Sequence, residues 1–403
     1  MPANDTINML VYKQLRLLPL EYEVCALRSP EDAKLRADMD SDPSSAKFSI
    51  HYAGDYNDVL FSINNINLIK GLNNIHHYVH DAVSMYHGQK FLYTGSFPCY
   101  TTRVGVELKK AHPELIWIAS FSDPINHSPY KFDRETYQSY IWAQKIAFKL
   151  YCRYYVCDQD EANAFEQADW LVFICEEQRD FMIQQYLAYF GKISREKLLA
   201  KSRIVPLNYV PEWNILKPGK AAPHDGSFTL SHFGRVYGLR IIREFIFAVQ
   251  QFTEKHPSVP LRIEQYGEFR PADSRLIRQL HLESCFHIFP KIPYEDCIQK
   301  MISTDAVLLF DTILPEDQIQ PYLPSKIVEY SLLQKNVLGI TTSRSPSYRI
   351  MRQSNAIVCR YDRSDILAGL ERLIIQRQPS LIQYAYTNEE AVQPLMEIVS
   401  PAE

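Results

Sequence analysis

The residues able to do phosphate chemistry gather in two short stretches of this 403-residue chain. The first reads Ser231-His232-Phe233-Gly234-Arg235-Val236-Tyr237-Gly238-Leu239-Arg240. The second reads Pro321-Tyr322-Leu323-Pro324-Ser325-Lys326-Ile327-Val328-Glu329-Tyr330. Each has the order strand, turn, helix start. Each offers what a diphosphate needs: small residues for close backbone approach, N–H groups at a helix start and cationic side chains. Arg235 and Arg240 flank the first turn, and guanidinium forks match phosphate oxygens in pairs. An ordinary strand-to-helix loop with two solvated arginines would read the same way, so the first stretch does not decide alone. In the second, Pro324 suits a first helical turn whose N–H groups point outward, with Ser325 and Lys326 beside it. A carboxylate at Glu329 can accept two hydrogen bonds from a ribose diol. The plainer role for Glu329 is to complement the helix dipole.

Together the two stretches resemble the C-terminal domain of GT-B glycosyltransferases, most nearly the GT4 type. In that family a Gly-Arg-x-x-x-x-Lys segment binds the donor pyrophosphate. This chain has Gly234-Arg235, with Arg240 where the lysine would stand. The run Pro324-Ser325-Lys326-x-x-Glu329-Tyr330 matches a form many such enzymes carry, and the resemblance gives Glu329 the donor ribose. It implies an α/β fold of two doubly wound Rossmann-like domains facing a cleft. Gly267 would let the donor approach the backbone. Lys291 and Ile292 fall where the donor base meets main-chain groups, and Tyr322 and Leu323 complete the donor side. The chain departs from the pattern at Pro321, where the family has a glutamate that touches the donor sugar. That contact would fall to Asp311, Glu316 or Asp317, or be lost.

The implied activity is transfer of a sugar from a nucleotide-diphospho donor to a glycan or lipid-linked glycan. The resemblance further implies retention of anomeric configuration, no metal and no other cofactor. Asp123, Arg235 and Arg240 take the catalytic roles, and His127 and Tyr130 face the acceptor. Two other readings stay open. One is a non-catalytic nucleotide-sugar-binding partner subunit, which Pro321 favours. The other is a GT-B epimerase working on the nucleotide sugar alone.

These residues need a scaffold, and the hydrophobic pattern supplies one. From Phe228 to Gln376 short apolar runs alternate with amphipathic stretches, which predicts a parallel, doubly wound sheet. The helix after the first turn is expected to start at Leu239. Ala306–Phe310 reads as a buried strand leading to the second stretch. Residues 1–210 form the N-terminal, acceptor-side domain and 211–225 a Pro-, Gly- and Lys-bearing linker. Residues 226–385 form the donor domain, and 386–403 a helix returning to the N-domain.

In the N-domain, Ile7–Pro19 reads as helix, Glu21–Leu27 as strand, Ala33–Lys47 as loop and Tyr56–Ile63 as strand. Leu115–Phe121 is a strongly apolar strand closed by Ser122-Asp123-Pro124. A carboxylate just past such a strand stands where ligands bind in open α/β sheets, or else caps the turn. The domain's opening strand in the resembled family has no counterpart before Ile7, so the domain is expected to lack its first strand, as a late-started chain would. His76 and His80 have metal-binding helical spacing but no evident third ligand. Asp158-Gln159-Asp160 matches a metal motif of another glycosyltransferase fold, but it leads into a helix pattern rather than ending a strand. Tyr137–Val156 reads as one helix with Lys145, Lys149 and Arg153 four apart among aromatic residues. Such a helix suits peripheral contact with an anionic membrane, or simply a solvated face.

Composition bounds the rest. The net charge of −4 argues against a nucleic-acid partner. Eight scattered cysteines without a Cys-x-x-Cys pair suit a reducing compartment. With no long apolar run and no signal-like start, the expected location is the cytoplasm, in part at the inner face of the membrane.

Overall fold

A computed structural model describes residues 6–28, 42–55, 65–85, 87–95, 100–124, 128–130, 141–154, 158–211 and 226–400. The chain divides into two compact units. The first holds Met1–Lys131, Ile141–Pro211 and Tyr386–Glu403; the second holds Phe132–Tyr140 and Glu212–Ala385.

Unit 1 opens with α1 (Thr6–Leu15), β1 (Tyr22–Arg28) and β2 (Phe48–Asp55), the two strands pairing in parallel. α2 (Asn65–Met85), β3 (Phe91–Gly95), α3 (Tyr100–Ala111) and β4 (Ile116–Ser120) follow. Then come α4 (Trp142–Tyr154), α5 (Asp158–Gln167), β5 (Trp170–Phe173), α6 (Glu176–Tyr189), α7 (Arg195–Ala200) and β6 (Ser202–Ile204). β3, β4, β5 and β6 form a four-stranded parallel sheet in that order. Among the described residues no strand joins β1 to β3, so unit 1 has two sheets rather than one. One apolar cluster nevertheless spans both: Tyr22 and Phe48 from the first sheet, Phe91, Tyr93 and Ile118 from the second, and Leu15 and Leu18 from the segment before them.

The strand expected at Tyr56–Ile63 lies outside the described residues. The strand observed is β2, in which Phe48 and Ile50 are part-buried while Ser49 and His51 are exposed. Its alternation follows directly on a charged, serine-rich run that masks it. Asp42 anchors its start: the carboxylate accepts from Tyr12 Oη, Arg16 Nη1 and Ser44 N, each at 3.0 Å. The helix expected over Tyr137–Val156 is α4, Trp142–Tyr154, and its expected first turn lies outside the described residues. Asp160 sits inside α5 and pairs with Arg103 at 2.9 Å, which accounts for it structurally.

Unit 2 is a six-stranded parallel sheet. Its elements are β7 (Phe228–Phe233), α8 (Arg243–Lys255), β8 (Leu261–Tyr266), α9 (Pro271–Gln279), β9 (Phe286–Phe289) and α10 (Tyr294–Ser303). They continue with β10 (Ala306–Phe310), α11 (Lys326–Leu332), β11 (Asn336–Thr341), α12 (Pro346–Gln353), β12 (Ile357–Arg360) and α13 (Arg363–Leu370). The strand order is β12-β11-β10-β7-β8-β9. The order reverses beside β7, and ligands of open α/β sheets bind at such switch points. β10 is buried along its whole length, as a central parallel strand must be. α8 starts at Arg243, not at Leu239. The Leu239 carbonyl accepts from Ile313 N at 2.9 Å, so 236–242 is a turn tied to the loop after β10. The last helix, α14 (Asn388–Val399), belongs to unit 1, where Val392, Leu395, Ile398 and Val399 join the apolar cluster. A capping box between Thr387 and Glu390 starts it.

Candidate functional site

The C-terminal ends of β7, β8 and β9 are locked side by side by a ladder of rings. Phe233 stacks on Tyr266 at 5.0 Å, and Tyr266 on Phe289 at 5.0 Å. Directly beyond the ladder the chain turns at Gly234 (φ +121°) and Gly267 (φ +130°), conformations that side chains resist. Gly234 N donates to Tyr266 O at 2.9 Å, and Gly267 N to Phe289 O at 3.0 Å. The two glycines are in close contact: a Cβ on Gly267 would lie 2.6 Å from Gly234 O. The result is a patch of bare main chain above the sheet.

Cations surround this patch. Lys326 Nζ lies 3.1 Å from where a Gly234 Cβ would be. Burial, and next the nearby Arg240 guanidinium, hold the Lys326 ammonium below the usual lysine range. Arg240 lies over the Tyr237 ring at 5.2 Å and donates through Nη1 to Arg235 O at 3.3 Å. Its Nε is buried with no hydrogen-bond acceptor. A guanidinium Nε buried without an acceptor, beside a half-buried ammonium, is an arrangement that an anion completes. Arg235 differs. Its side chain is 66% exposed and paired with Glu268 at 3.2 Å. The two arginines expected as one clamp share the Tyr237 ring, Arg235 lying 5.7 Å from its centre, but sit in unlike settings, and Arg240 also acts electrostatically on Lys326.

Glu329 lies in the first turn of α11 and accepts from Tyr294 Oη at 3.3 Å through Oε1. Ser325 is the N-terminal cap of α11, with no side-chain capping bond. Lys291 and Ile292 occupy the loop between β9 and α10; Ile292 O receives the Cys297 thiol at 3.8 Å, and Lys291 lies within electrostatic reach of Lys326. Tyr322 N donates to Gln320 Oε1, and Leu323 is half-buried beside it.

Two of the acids considered as substitutes at Pro321, Asp311 and Glu316, are engaged within the protein. Asp311 is 2% exposed. Its carboxylate accepts from Thr312 N (2.7 Å), Gln320 Nε2 (2.6 Å) and Thr341 Oγ1 (3.0 Å). Burial pushes its pKa up. Glu316 Oε2 accepts from Ser343 N at 3.2 Å and from Ser343 Oγ. Asp317 O receives Arg344 Nη1, and Gln320 N donates to Arg344 O at 3.0 Å. The loop carrying Tyr322 and Leu323 is thus braced onto the β11–α12 connection.

In unit 1, Asp123 is exposed in the turn after β4. Gln178 holds that turn, donating to Ser122 O at 2.8 Å and Phe121 O at 3.3 Å. Tyr130 lies in a turn further on, and His127 lies outside the described residues. Three polar residues of the donor side escaped the sequence reading: His232, Gln265 and Tyr294. A polar residue at the buried end of an apolar strand was the available signal for the first two.

No protein-family model matches the chain, and no curated protein sequence matches it. Solved structures do resemble it. Anabaena Alr3699/HepE in complex with UDP is 10% identical, with 99% of this chain and 92% of that one covered and a TM-score of 0.58. OtsA is also 10% identical, over 98% and 94% of the two chains, with a TM-score of 0.57. Sucrose-phosphate synthase from Thermosynechococcus elongatus is 11% identical, over 94% and 93%, with a TM-score of 0.54. All three share one architecture. The chain has the GT-B fold. In GT-B terms, unit 2 is the C-terminal Rossmann-like domain and the Gly234 turn closes its first strand.

Proposed function

We propose that this GT-B protein is a glycosyltransferase that uses a nucleoside-diphosphate sugar. The observation that carries the reading is the half-buried pair Arg240 and Lys326, with the Arg240 Nε buried, beside the bare main chain of Gly234 and Gly267. Breaking the bond from the anomeric carbon to the donor phosphate leaves an electron pair on a phosphate oxygen. Preorganised cations in a dry site stabilise that charge at no cost of reorganisation. Arg240 and Lys326 take this role, with Arg235 at the exposed rim. Glu329, steadied by Tyr294, holds the ribose diol. Lys291 and Ile292 border the base, and Tyr322, Leu323 and Ser325 the sugar and phosphate. Anabaena HepE, a neighbour in fold, is solved with UDP-glucose and with UDP and glucose, which supports a donor of this kind.

The side-chain cations supply positive charge for the leaving group, which favours metal independence; retention at the anomeric carbon is part of the proposal through the resemblance to GT4-type enzymes alone. Asp123 and Tyr130 are the acceptor-side candidates of unit 1. The acceptor is a glycan, free or lipid-linked. The exposed row Ile141, Trp142, Ile146 and Leu150 on and before α4, on a helix that also carries Lys145, favours contact with an anionic membrane. Among the described residues no helix is long and apolar enough to cross one. Flotation with phosphatidylglycerol vesicles but not phosphatidylcholine vesicles checks that contact.

The deciding experiment is thermal unfolding with UDP, GDP, ADP, CMP and dTDP, with and without Mg²⁺. A ligand at about a hundred times its Kd adds roughly 2.7 kcal/mol. One diphosphate standing out, with or without metal, supports the site and names the base. No response to any of them removes the reading. Pro321, where the resembled enzymes carry an acid, favours a second reading as a non-catalytic binder. Binding without turnover of the matching nucleotide sugar would establish it.

A further inference from the structure

His232 is the last residue but one of β7, two before Gly234, 5% exposed, with its ring 4.8 Å from that of Phe310. Its Nδ1 lies 2.8 Å from Gln265 Oε1. Gln265, 1% exposed, sends Nε2 to Gly234 O at 2.6 Å. The chain of groups fixes its own hydrogens. A carbonyl only accepts, so the amide nitrogen of Gln265 faces Gly234. The amide oxygen then faces the imidazole, and the network assigns the hydrogen to Nδ1. Gly234 O is the atom that leaves no room for a Cβ on Gly267. The same residue has the φ of +121° that turns the chain beside Lys326.

We infer that His232 is a positioning residue for the anion-binding turn: through Gln265 it fixes the Gly234 peptide, and by staying neutral it leaves the site's positive charge to Arg240 and Lys326. The inference rests on the reading of this turn as a nucleoside-diphosphate site. The charged groups that act on the ring are Lys326 from α11 and Arg240 from the 236–242 turn. Gln265 from β8 and Phe310 from β10 are its uncharged neighbours. A proton on the ring would add a third cation beside Lys326 and Arg240, both of which already repel it. It would also be buried. Burial first, then Lys326, hold the ring's pKa down to about 3, and the bond to Gln265 only partly offsets them.

A merely space-filling histidine would tolerate any side chain of its size, and this separates the two roles. Asn at this position offers an N–H close to where Nδ1 stands; Leu, of similar size, offers none. UDP, GDP, ADP and dTDP are titrated calorimetrically into the wild type, His232→Asn and His232→Leu. For the diphosphate the wild type binds, Kd should rise about tenfold in His232→Leu, the worth of one hydrogen bond, and no more than about threefold in His232→Asn. Equal losses in both variants, or none in His232→Leu, overturn the inference. Long-range ¹H–¹⁵N NMR of the wild type needs no substitution. It should show His232 as the Nδ1–H neutral form down to about pH 5, and titration near the ordinary histidine value overturns the inference. A wild type that binds none of the four removes the diphosphate reading and this inference with it. A binding wild type whose variants behave alike removes the inference only.

Discussion

The carbonyl oxygen of Gly234 stands 2.6 Å from where a Cβ of Gly267 would be. Two strand ends thus meet backbone to backbone, and neither side can give way as a flexible side chain would. Gly267→Ala should therefore cost about 3 kcal/mol, combining a strained φ with displacement of the Gly234 peptide. Gly226→Ala is the matched control: φ is +88° and nothing lies within 4 Å of the added carbon. It should cost only about 1 kcal/mol. Calorimetric melting of both variants checks this. Equal costs would mean that the close approach does not define the turn.

Lys326 and Arg240 predict a trade between stability and binding. In the ligand-free protein the half-buried ammonium is disfavoured, by burial and then by Arg240. Lys326→Met removes that cation and keeps most of the volume. Its Tm without ligand should match or exceed the wild type, as replacing a poorly compensated buried charge often does. Its affinity for the matching nucleoside diphosphate should fall on the order of a hundredfold, the scale of a lost charged hydrogen bond. Arg235→Ala should lose far less, about threefold, because its guanidinium is exposed and screened by Glu268. A larger loss for Arg235→Ala than for Lys326→Met would return the main clamp to Arg235.

Acid should unfold the protein partly through His232. Its folded pKa of about 3 lies below the unfolded value of 6.5. Below pH 6.5 the unfolded chain takes up a proton that the folded one refuses. The stability His232 contributes is whole above pH 6.5 and is lost as pH falls from there toward 3. The slope is one proton, about 1.4 kcal/mol per pH unit. His232→Asn has no such proton, so relative to the wild type it should gain about 2 kcal/mol between neutral pH and pH 5. Glu264 and Glu371, whose carboxyls are held low by partners, also make the fold acid-labile, but they do so in both proteins. Parallel stability curves over this range would show that His232 protonates freely.

The sequence made unit 2 easier to read than unit 1 for a physical reason. β10, buried on both faces, is unbroken apolar residues, and the helices between strands keep one apolar face, so the alternation stands out. Among the described residues β2 has one partner strand, and its half-exposed alternation stands next to a charged run that looks like loop. In the site, Gly234, Lys326 and Glu329 were legible because turn and helix-start positions fix where they stand. The unlike settings of Arg235 and Arg240 were not, since spacing says nothing of which guanidinium meets Glu268 and which turns inward. Asp311 looked available as a sugar ligand. Its bonds to Thr312 and Gln320 lie within its own loop, and its bond to Thr341, 30 residues on, depends on β11 lying beside β10.

Glu329 and Tyr294 predict how the site tells ribose from other rings. The Tyr294 hydroxyl donates to Glu329 Oε1 at 3.3 Å, across from α10 to α11. That bond orients the carboxylate and occupies part of one oxygen. A ribose diol would present two further donors to the same group. Glu329→Gln replaces one acceptor with a donor, so one diol hydrogen bond turns unfavourable. Affinity for the matching nucleoside diphosphate should fall about thirtyfold, the scale of a hydrogen bond to a charged group. Its 2′,3′-dideoxy counterpart should bind the variant and the wild type alike. Tyr294→Phe leaves the carboxylate charged but less fixed. It should cost about threefold with the ribose ligand and nothing with the dideoxy one. Isothermal titration of both ligands into the three proteins separates the terms. An equal loss for both ligands in Glu329→Gln would place the carboxylate away from the diol and return Glu329 to the plainer role of complementing the α11 dipole.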